Sequence, residues 1–188
     1  MKRICVYCGS RSGNTRAYAQ KAMEIGALLA KNQIELVYGG GNIGIMKIVA
    51  DAVLNNGGKV IGVIPRKLRD LELAHPGLTQ CYTTESMHER KFLMSQLSDG
   101  FIALPGGWGT LEELSEAVTW AQLNYHTKPT GILNTKDYYT GLLQWLAHAN
   151  KEGFISMEHT QLLIVEKDPV RLLTKMQTAQ IPKLEDHL

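Results

Sequence analysis

The sequence has little of several features that mark particular classes of protein. Only three of its 188 residues are cysteines, and an odd number argues against a disulfide framework. No apolar run approaches the roughly 18 residues of a membrane span, and the N-terminal run is too short for a signal peptide. We therefore expect a cytoplasmic protein that makes no contact with a membrane.

The sequence also lacks a large excess of positive or negative charge. The net charge is only +2, and no block of lysine and arginine argues for nucleic acid as a partner. Hydrophobic residues make up 44% of the chain and charged residues 20%, which is typical of globular proteins. A chain of this length suits one domain over residues 1–188.

Metal and redox motifs are incomplete. Cys5 and Cys8 form a C-x-x-C motif, but it lies in a strand-like run, where residues three apart point to opposite faces. No second cysteine pair completes a zinc site, and the histidines lack metal-ligand spacing. We predict neither a metal site nor a redox site.

The chain instead alternates apolar, strand-like runs with helical patterns, which predicts a doubly wound α/β fold with a mostly parallel sheet. The predicted strands are Arg3–Gly9, Ile34–Gly40, Lys59–Pro65, Gly100–Gly107, Pro129–Asn134 and Gln161–Lys167. The predicted helices are Thr15–Asn32, Gly44–Gly58, Met87–Gly100, Thr110–Tyr125, Tyr138–Gly153 and Asp168–Gln177. The segment Arg66–Glu85 lacks clear periodicity and is long for a loop, which indicates a functional loop or a short extra element.

Three glycine-bearing loops follow predicted strands. Ligands in this fold class bind beyond the carboxyl ends of the strands, so Cys8–Asn14, Tyr38–Gly44 and Pro105–Thr110 are predicted to converge on one crevice. The candidate phosphate or nucleotide positions in the first two loops are Ser10, Gly40 and Gly41.

The third loop carries the strongest signal. Gly106, Gly107 and Gly109 precede or open a helix, and a glycine-rich helix start is typical of a phosphate site. Thr110 and Glu113 have the spacing of a capping box, which would give Glu113 a structural role. Trp108 could stack on a base or serve in packing.

The second loop contains G-x-G-x-x-G through Gly39, Gly41 and Gly44, which invites a dinucleotide interpretation. The loop follows the second strand rather than the first, and no acidic residue stands where a ribose diol would need one. Arg66 could instead meet a 2′-phosphate, so a nicotinamide-dependent reductase stays as an alternative.

A second capping box, Ser86 with Glu89, precedes two cations that the helix dipole disfavours. Arg90 and Lys91 are therefore interpreted as an anion clamp beside the glycine loops. A carboxylate facing a sugar would stabilise the oxocarbenium character that develops when a glycosidic bond breaks.

The segments P-G-G-W-G-T-L-E-E (Pro105–Glu113) and M-H-E-R-K (Met87–Lys91) resemble the LOG ("Lonely Guy") family, cytokinin riboside 5′-monophosphate phosphoribohydrolases formerly mislabelled as lysine decarboxylases. The resemblance runs from about Lys2 to Met176. It implies a modified Rossmann fold, a homodimer, no cofactor, and hydrolysis of an adenine nucleoside 5′-monophosphate, N6-modified or plain AMP, to free base and ribose 5-phosphate.

By the same resemblance, Arg90 and Glu113 are the catalytic pair. The implied substrate-binding residues are Glu72, Lys91, Gly106, Gly107, Trp108, Gly109, Thr110, Leu111, Glu112 and Thr119. A non-catalytic nucleotide carrier or regulatory protein of the same fold is the main alternative, and it would not need Arg90 and Glu113 together. A pyridoxal phosphate decarboxylase has no support, because no lysine sits in a recognisable Schiff-base context.

Overall fold

The computed structural model describes residues 1–71 and 74–183. Its core is a seven-stranded sheet whose strand pairs are all parallel. The strands are β1 (Arg3–Tyr7), β2 (Glu35–Tyr38), β3 (Val60–Pro65), β4 (Gln80–Thr84), β5 (Gly100–Ala103), β6 (Thr130–Leu133) and β7 (Leu163–Glu166). Their spatial order is β4-β3-β2-β1-β5-β6-β7, so the predicted doubly wound fold is confirmed.

Helices cover both faces of this sheet. They are α1 (Arg16–Lys31), α2 (Gly44–Asn55), α3 (Arg66–Arg69), α4 (Met87–Leu97), α5 (Trp108–Gln122), α6 (Thr140–Lys151), α7 (Met157–Thr160) and α8 (Pro169–Thr178). Ile4, Val6 and Cys8 belong to the core on one face, whereas Cys5 and Tyr7 belong to the core on the other. The two cysteines therefore point to opposite faces, as the strand periodicity predicts.

The segment Arg66–Glu85 contains two elements that apolar periodicity did not reveal, the short helix α3 and the strand β4. The strand lies at the edge of the sheet, and its first two residues, Gln80 and Cys81, are exposed. An edge strand does not need an apolar run, so its sequence gave no such signal.

The order of the strands reverses at β1, whose neighbours β2 and β5 are followed by connections that run in opposite directions along the sheet. A doubly wound sheet opens a crevice at such a switch point, beyond the carboxyl ends of the strands. The backbone N–H of Gly9, after β1, donates to the carbonyl of Pro105, after β5, at 3.1 Å. The fold thus joins the first and third glycine loops at the switch point.

Candidate active site

The first and third glycine loops line one cavity, as predicted, and the second loop packs against the first through Gly44. Gly44 comes so close to Ser10 that a Cβ atom at position 44 would lie 2.3 Å from the carbonyl carbon of Ser10. Ser10 also lines this cavity with Gly106 and Gly107, whereas the predicted positions Gly40 and Gly41 do not line it. The carbonyl of Gly40 accepts from the His75 N–H at 2.9 Å, and that of Gly41 accepts from the Tyr38 hydroxyl at 3.1 Å.

The predicted capping box of Thr110 and Glu113 is wrong. Helix α5 begins two residues earlier, at Trp108, with Gly107 as an N-cap residue that supplies no side-chain cap. Thr110 is the third helical residue and is buried; a Cβ atom at Gly106 would lie 2.1 Å from its hydroxyl oxygen. Glycine at the N-cap leaves the N–H groups of the first turn without a side-chain acceptor, and such groups bind anions.

Helix α4 begins as the sequence indicates. Ser86 is its N-cap residue, and its hydroxyl accepts from the Glu89 N–H at 3.1 Å. The Glu89 carboxylate, however, accepts from the backbone N–H of Glu85 at 2.8 Å, one residue before the N-cap. The cap places Arg90 and Lys91 in the second turn of α4, facing α5.

Arg90 and Glu113 form a nearly buried ion pair. The Nη1 atom of Arg90 lies 3.1 Å from Oε1 of Glu113, and only 11% and 9% of the two side chains are exposed. The Nε–H of Arg90 donates to the carbonyl of Val63 at 3.1 Å, which fixes the guanidinium over the end of β3. A Cβ atom at Gly39 would lie 2.0 Å from Nη2 of Arg90, so glycine at this position makes room for the guanidinium.

Burial raises the pKa of the Glu113 carboxyl; Arg90 lowers it, and the nearby Glu112 raises it further. The balance leaves the pKa above its ordinary value. A carboxylate whose pKa is raised is a stronger base than an exposed glutamate. The pair can therefore supply both negative charge and proton transfer at one position.

Lys91 is held by two carboxylates of α5. Its Nζ lies 2.6 Å from Oε1 of Glu112 and 3.1 Å from Oε1 of Glu116, and 7% of its side chain is exposed. Burial lowers the pKa of the amino group, but the hydrogen bonds that it donates to Glu112 and Glu116 outweigh burial and leave the pKa raised. In this structure Lys91 and Glu112 fasten α4 to α5, so their role towards a substrate stays a prediction.

The remaining predicted residues separate into three groups. Trp108 is 88% exposed beside Gly107 at the cavity wall, and Gly109 and Leu111 continue the first turn of α5. Thr119 is exposed and lines a different groove, between α5 and α6, with Trp145. Glu72 lies outside the described residues.

The loop after β6 contributes to the site although no sequence motif marked it. Tyr138 lines the same cavity as Gly106 and Gly107, and Tyr18 and Arg11 complete its wall. Because β6 is parallel to β5, its carboxyl end reaches the same edge of the sheet. Tyr138 lies four residues after the predicted strand Pro129–Asn134, and this position beyond a strand's carboxyl end was the available signal.

Within residues 1–71 and 74–183, no group of three or more histidine, cysteine, aspartate or glutamate side chains could hold a metal ion. In the same ranges no helix combines the length and the apolar character that a membrane crossing requires.

The fold and the site define a Rossmann-like α/β protein with a glycine-rich helix start that lacks a side-chain cap and with a buried arginine–glutamate pair. Residues 46–176 match a family model described as "Possible lysine decarboxylase". Cytokinin riboside 5′-monophosphate phosphoribohydrolase LOG1 of Arabidopsis thaliana is 46% identical over 94% of this chain and 83% of its own length. LOG2 of the same plant is 40% identical over 98% of this chain and 86% of its own length. The chain belongs to the LOG family.

Solved structures of lower sequence identity share the fold. The molybdenum cofactor binding protein of Rippkaea orientalis superposes with a TM-score of 0.71 at 23% identity, covering 95% of this chain and 99% of that one. The molybdenum cofactor carrier protein of Chlamydomonas reinhardtii gives 0.71 at 18% identity, covering 94% and 98%. At these identities the likeness shows the fold alone.

Proposed function

We propose that this protein is an N-glycosyl hydrolase that cleaves an adenine nucleoside 5′-monophosphate to the free base and ribose 5-phosphate. The base is adenine or an N6-modified adenine of the cytokinin type. The observation that carries the proposal is the buried Arg90–Glu113 pair one turn beyond the uncapped start of α5. Membership of the LOG family supports the same activity, because its Arabidopsis relatives are named phosphoribohydrolases.

In this proposal the 5′-phosphate binds at the start of α5, to the backbone of Gly106–Thr110. The unpaired N–H groups of a first helical turn supply donors, and the helix dipole favours the negative charge. Exposed Trp108 is positioned to cover one side of the bound nucleotide. Phosphate binding of this kind holds the sugar close to the first turns of α5.

Glu113 then stabilises the positive charge that develops at the anomeric carbon as the bond to the base nitrogen breaks. Its raised pKa suits it to accept a proton from the attacking water, so that hydroxyl adds to the carbon. Arg90 holds Glu113 in place and, as a cation, favours departure of the base with the bonding electron pair. The base takes up a proton from solvent as it leaves, and Glu113 later releases its proton to solvent, so that one water molecule is consumed for each bond cleaved.

The proposal includes a homodimer. Phe92 on α4 is 56% exposed and packs edge-on against Trp120 on α5, with ring centroids 6.5 Å apart. Exposed aromatic side chains of this size are enriched at protein interfaces. Thr119, which lies outside the cavity in a single chain, sits beside Trp120 on this helix. Sedimentation velocity of the wild type and of Phe92→Ser tests this assembly; a monomeric wild type would refute it.

The activity is tested by incubating the protein with AMP and, separately, with N6-isopentenyl-AMP, and separating free base and ribose 5-phosphate by chromatography. We expect release of base that Arg90→Ala and Glu113→Ala both abolish. Tight nucleotide binding without release of base would favour the non-catalytic carrier instead. The ratio of the two rates identifies the preferred base.

A further inference from the structure

Two consecutive tyrosines after β6 bind carbonyl groups on either side of Pro105. The hydroxyl of Tyr139 donates to the carbonyl of Leu104 at 2.7 Å, and the hydroxyl of Tyr138 donates to the carbonyl of Gly106. Tyr139 is buried and belongs to the core, whereas Tyr138 is 46% exposed and lines the cavity. Core packing therefore accounts for the presence of a tyrosine at position 139 but not at position 138.

The loop that presents Tyr138 is strained. Lys136 and Asp137 both adopt left-handed backbone conformations, with φ of 55° and 60°. Each such residue costs about 1–2 kcal/mol when it is not glycine. The loop is nevertheless tied down: Tyr139 N–H donates to Asn134 Oδ1 at 2.8 Å, and Lys167 pairs with Asp137 at 2.6 Å. Strain that is maintained to place an exposed side chain is typical of functional sites.

The bond from Tyr138 sets the direction of a backbone donor. The carbonyl of Gly106 and the N–H of Gly107 belong to one peptide unit, and in a trans peptide they point in opposite directions. A carbonyl anchored on Tyr138 therefore fixes where the Gly107 N–H points. Thr110 packs under the Gly106 end of this peptide, but no atom lies within 4 Å of a Cβ built on Gly107, so side-chain packing does not hold the Gly107 end.

Tyr138 also contacts the first glycine loop. Its ring meets Tyr18 edge-on, with centroids 5.9 Å apart, and Tyr18 packs against Gly13, where a Cβ atom would lie 2.6 Å from the ring. The same side chain thus joins the walls that the first and third loops contribute to the cavity.

We propose that Tyr138 is a positioning residue for phosphate: it orients the Gly106–Gly107 peptide so that the Gly107 N–H joins the donors of the α5 start. The inference rests on the proposed function for the identity of the nucleotide. The Tyr138 hydroxyl contacts the loop that would hold the phosphate, so in this proposal it acts on phosphate affinity and not on bond cleavage.

The test is Tyr138→Phe, which removes one oxygen from a half-exposed ring and leaves the fold intact. The dissociation constant of ribose 5-phosphate is measured by calorimetry, and KM and kcat are measured with AMP. We expect both the dissociation constant and KM to rise about fivefold to tenfold, the worth of one hydrogen bond, with kcat within about twofold. Inhibition by adenosine, which lacks the phosphate, should not change.

Tyr139→Phe is the matched comparison, because it removes the same atom from the neighbouring residue. It should lower the melting temperature, but it should not weaken the binding of ribose 5-phosphate relative to the binding of adenosine. Unchanged ribose 5-phosphate affinity in Tyr138→Phe would overturn the inference, as would an equal loss of ribose 5-phosphate and adenosine binding. A wild type that binds ribose 5-phosphate but does not cleave AMP would refute the proposed function alone, since the calorimetric comparison still tests Tyr138.

Discussion

Replacing Glu113 by glutamine separates the charge of this side chain from its shape. Glutamine keeps the size of the side chain and an oxygen for Arg90, and Arg90 also keeps its bond to the carbonyl of Val63. What is lost is one negative charge. At the 3.1 Å that separates Glu113 from Arg90, two unit charges interact by about 5 kcal/mol at an effective dielectric constant of about 20.

That figure applies to the full charge of Arg90, and the charge that develops at the anomeric carbon is only partial, so we expect a smaller loss in catalysis. Removing one preorganised electrostatic group costs about 3–4 kcal/mol in comparable sites, which lowers kcat by about 100-fold to 1,000-fold. Because substrate affinity comes from the phosphate contacts at the start of α5, we expect KM to change by less than about threefold. Steady-state kinetics with AMP measure both quantities.

The pH dependence provides a second readout of the same change. If the ionised carboxylate is the active form, kcat falls as the pH drops below the raised pKa of Glu113, and this acid limb lies above the range of an ordinary glutamate. The limb should disappear in Glu113→Gln. Glu24→Gln, on the surface of α1, is the control and should behave as wild type. A Glu113→Gln variant with kcat within tenfold of wild type would contradict the proposed mechanism.

Three further predictions concern the glycine loop before α5, the loop after β6 and an ion pair at the start of β1 and β2. Gly106→Ala would bring a Cβ atom to 2.1 Å from the Thr110 hydroxyl, so the loop must shift and KM for AMP should rise more than about tenfold, measured by the same kinetics. Lys136→Gly relieves a left-handed residue and should raise the free energy of unfolding by about 0.5–1 kcal/mol in urea titrations. The hydrogen bond from Arg3 lowers the pKa of Glu35, so its stabilisation is present above the pKa of the unfolded chain and is lost as pH falls through the folded-state pKa. The partly exposed Arg3–Glu35 ion pair contributes less than about 1 kcal/mol to the free energy of unfolding. Melting measured as a function of pH should show that Glu35→Gln removes this part of the loss of stability in acid.

Several elements followed directly from local sequence. The apolar run of β3 is buried along its whole length, and Gly57 ends α2 in a left-handed conformation, as a glycine stop predicts. Asp168 caps α8 through its side chain, with Pro169 in the first turn. In each case the physical cause lies within a few residues of the element, so the sequence carries it. The edge strand β4 is the exception, because its partner and its exposure are set by the sheet.

The start of α5 shows why local sequence patterns are not sufficient to predict where a helix begins and which residue caps it. Thr110 and Glu113 have the spacing of a cap, yet the pairing of Glu113 with Arg90 and the packing of Thr110 under Gly106 hold both side chains elsewhere. The contact between Glu113 and Arg90 joins two separate helices, α4 and α5. The contact between Thr110 and Gly106 depends on the backbone turn before α5. Helix boundaries in such cases follow tertiary contacts rather than capping propensity.

The sequence by itself determined the strand–helix alternation, the parallel sheet and the glycine loops at one sheet edge, because these depend on periodicity and on backbone freedom. Its P-G-G-W-G-T-L-E-E motif also indicated the family that the comparisons show. Only the tertiary structure decided the partners of the charged residues. It paired Arg90 with Glu113 and Lys91 with Glu112 and Glu116, and it brought Tyr138 to Gly106 from 32 residues away. Ion pairs and hydrogen bonds between distant segments depend on the relative positions of packed elements, which no local pattern of residues encodes.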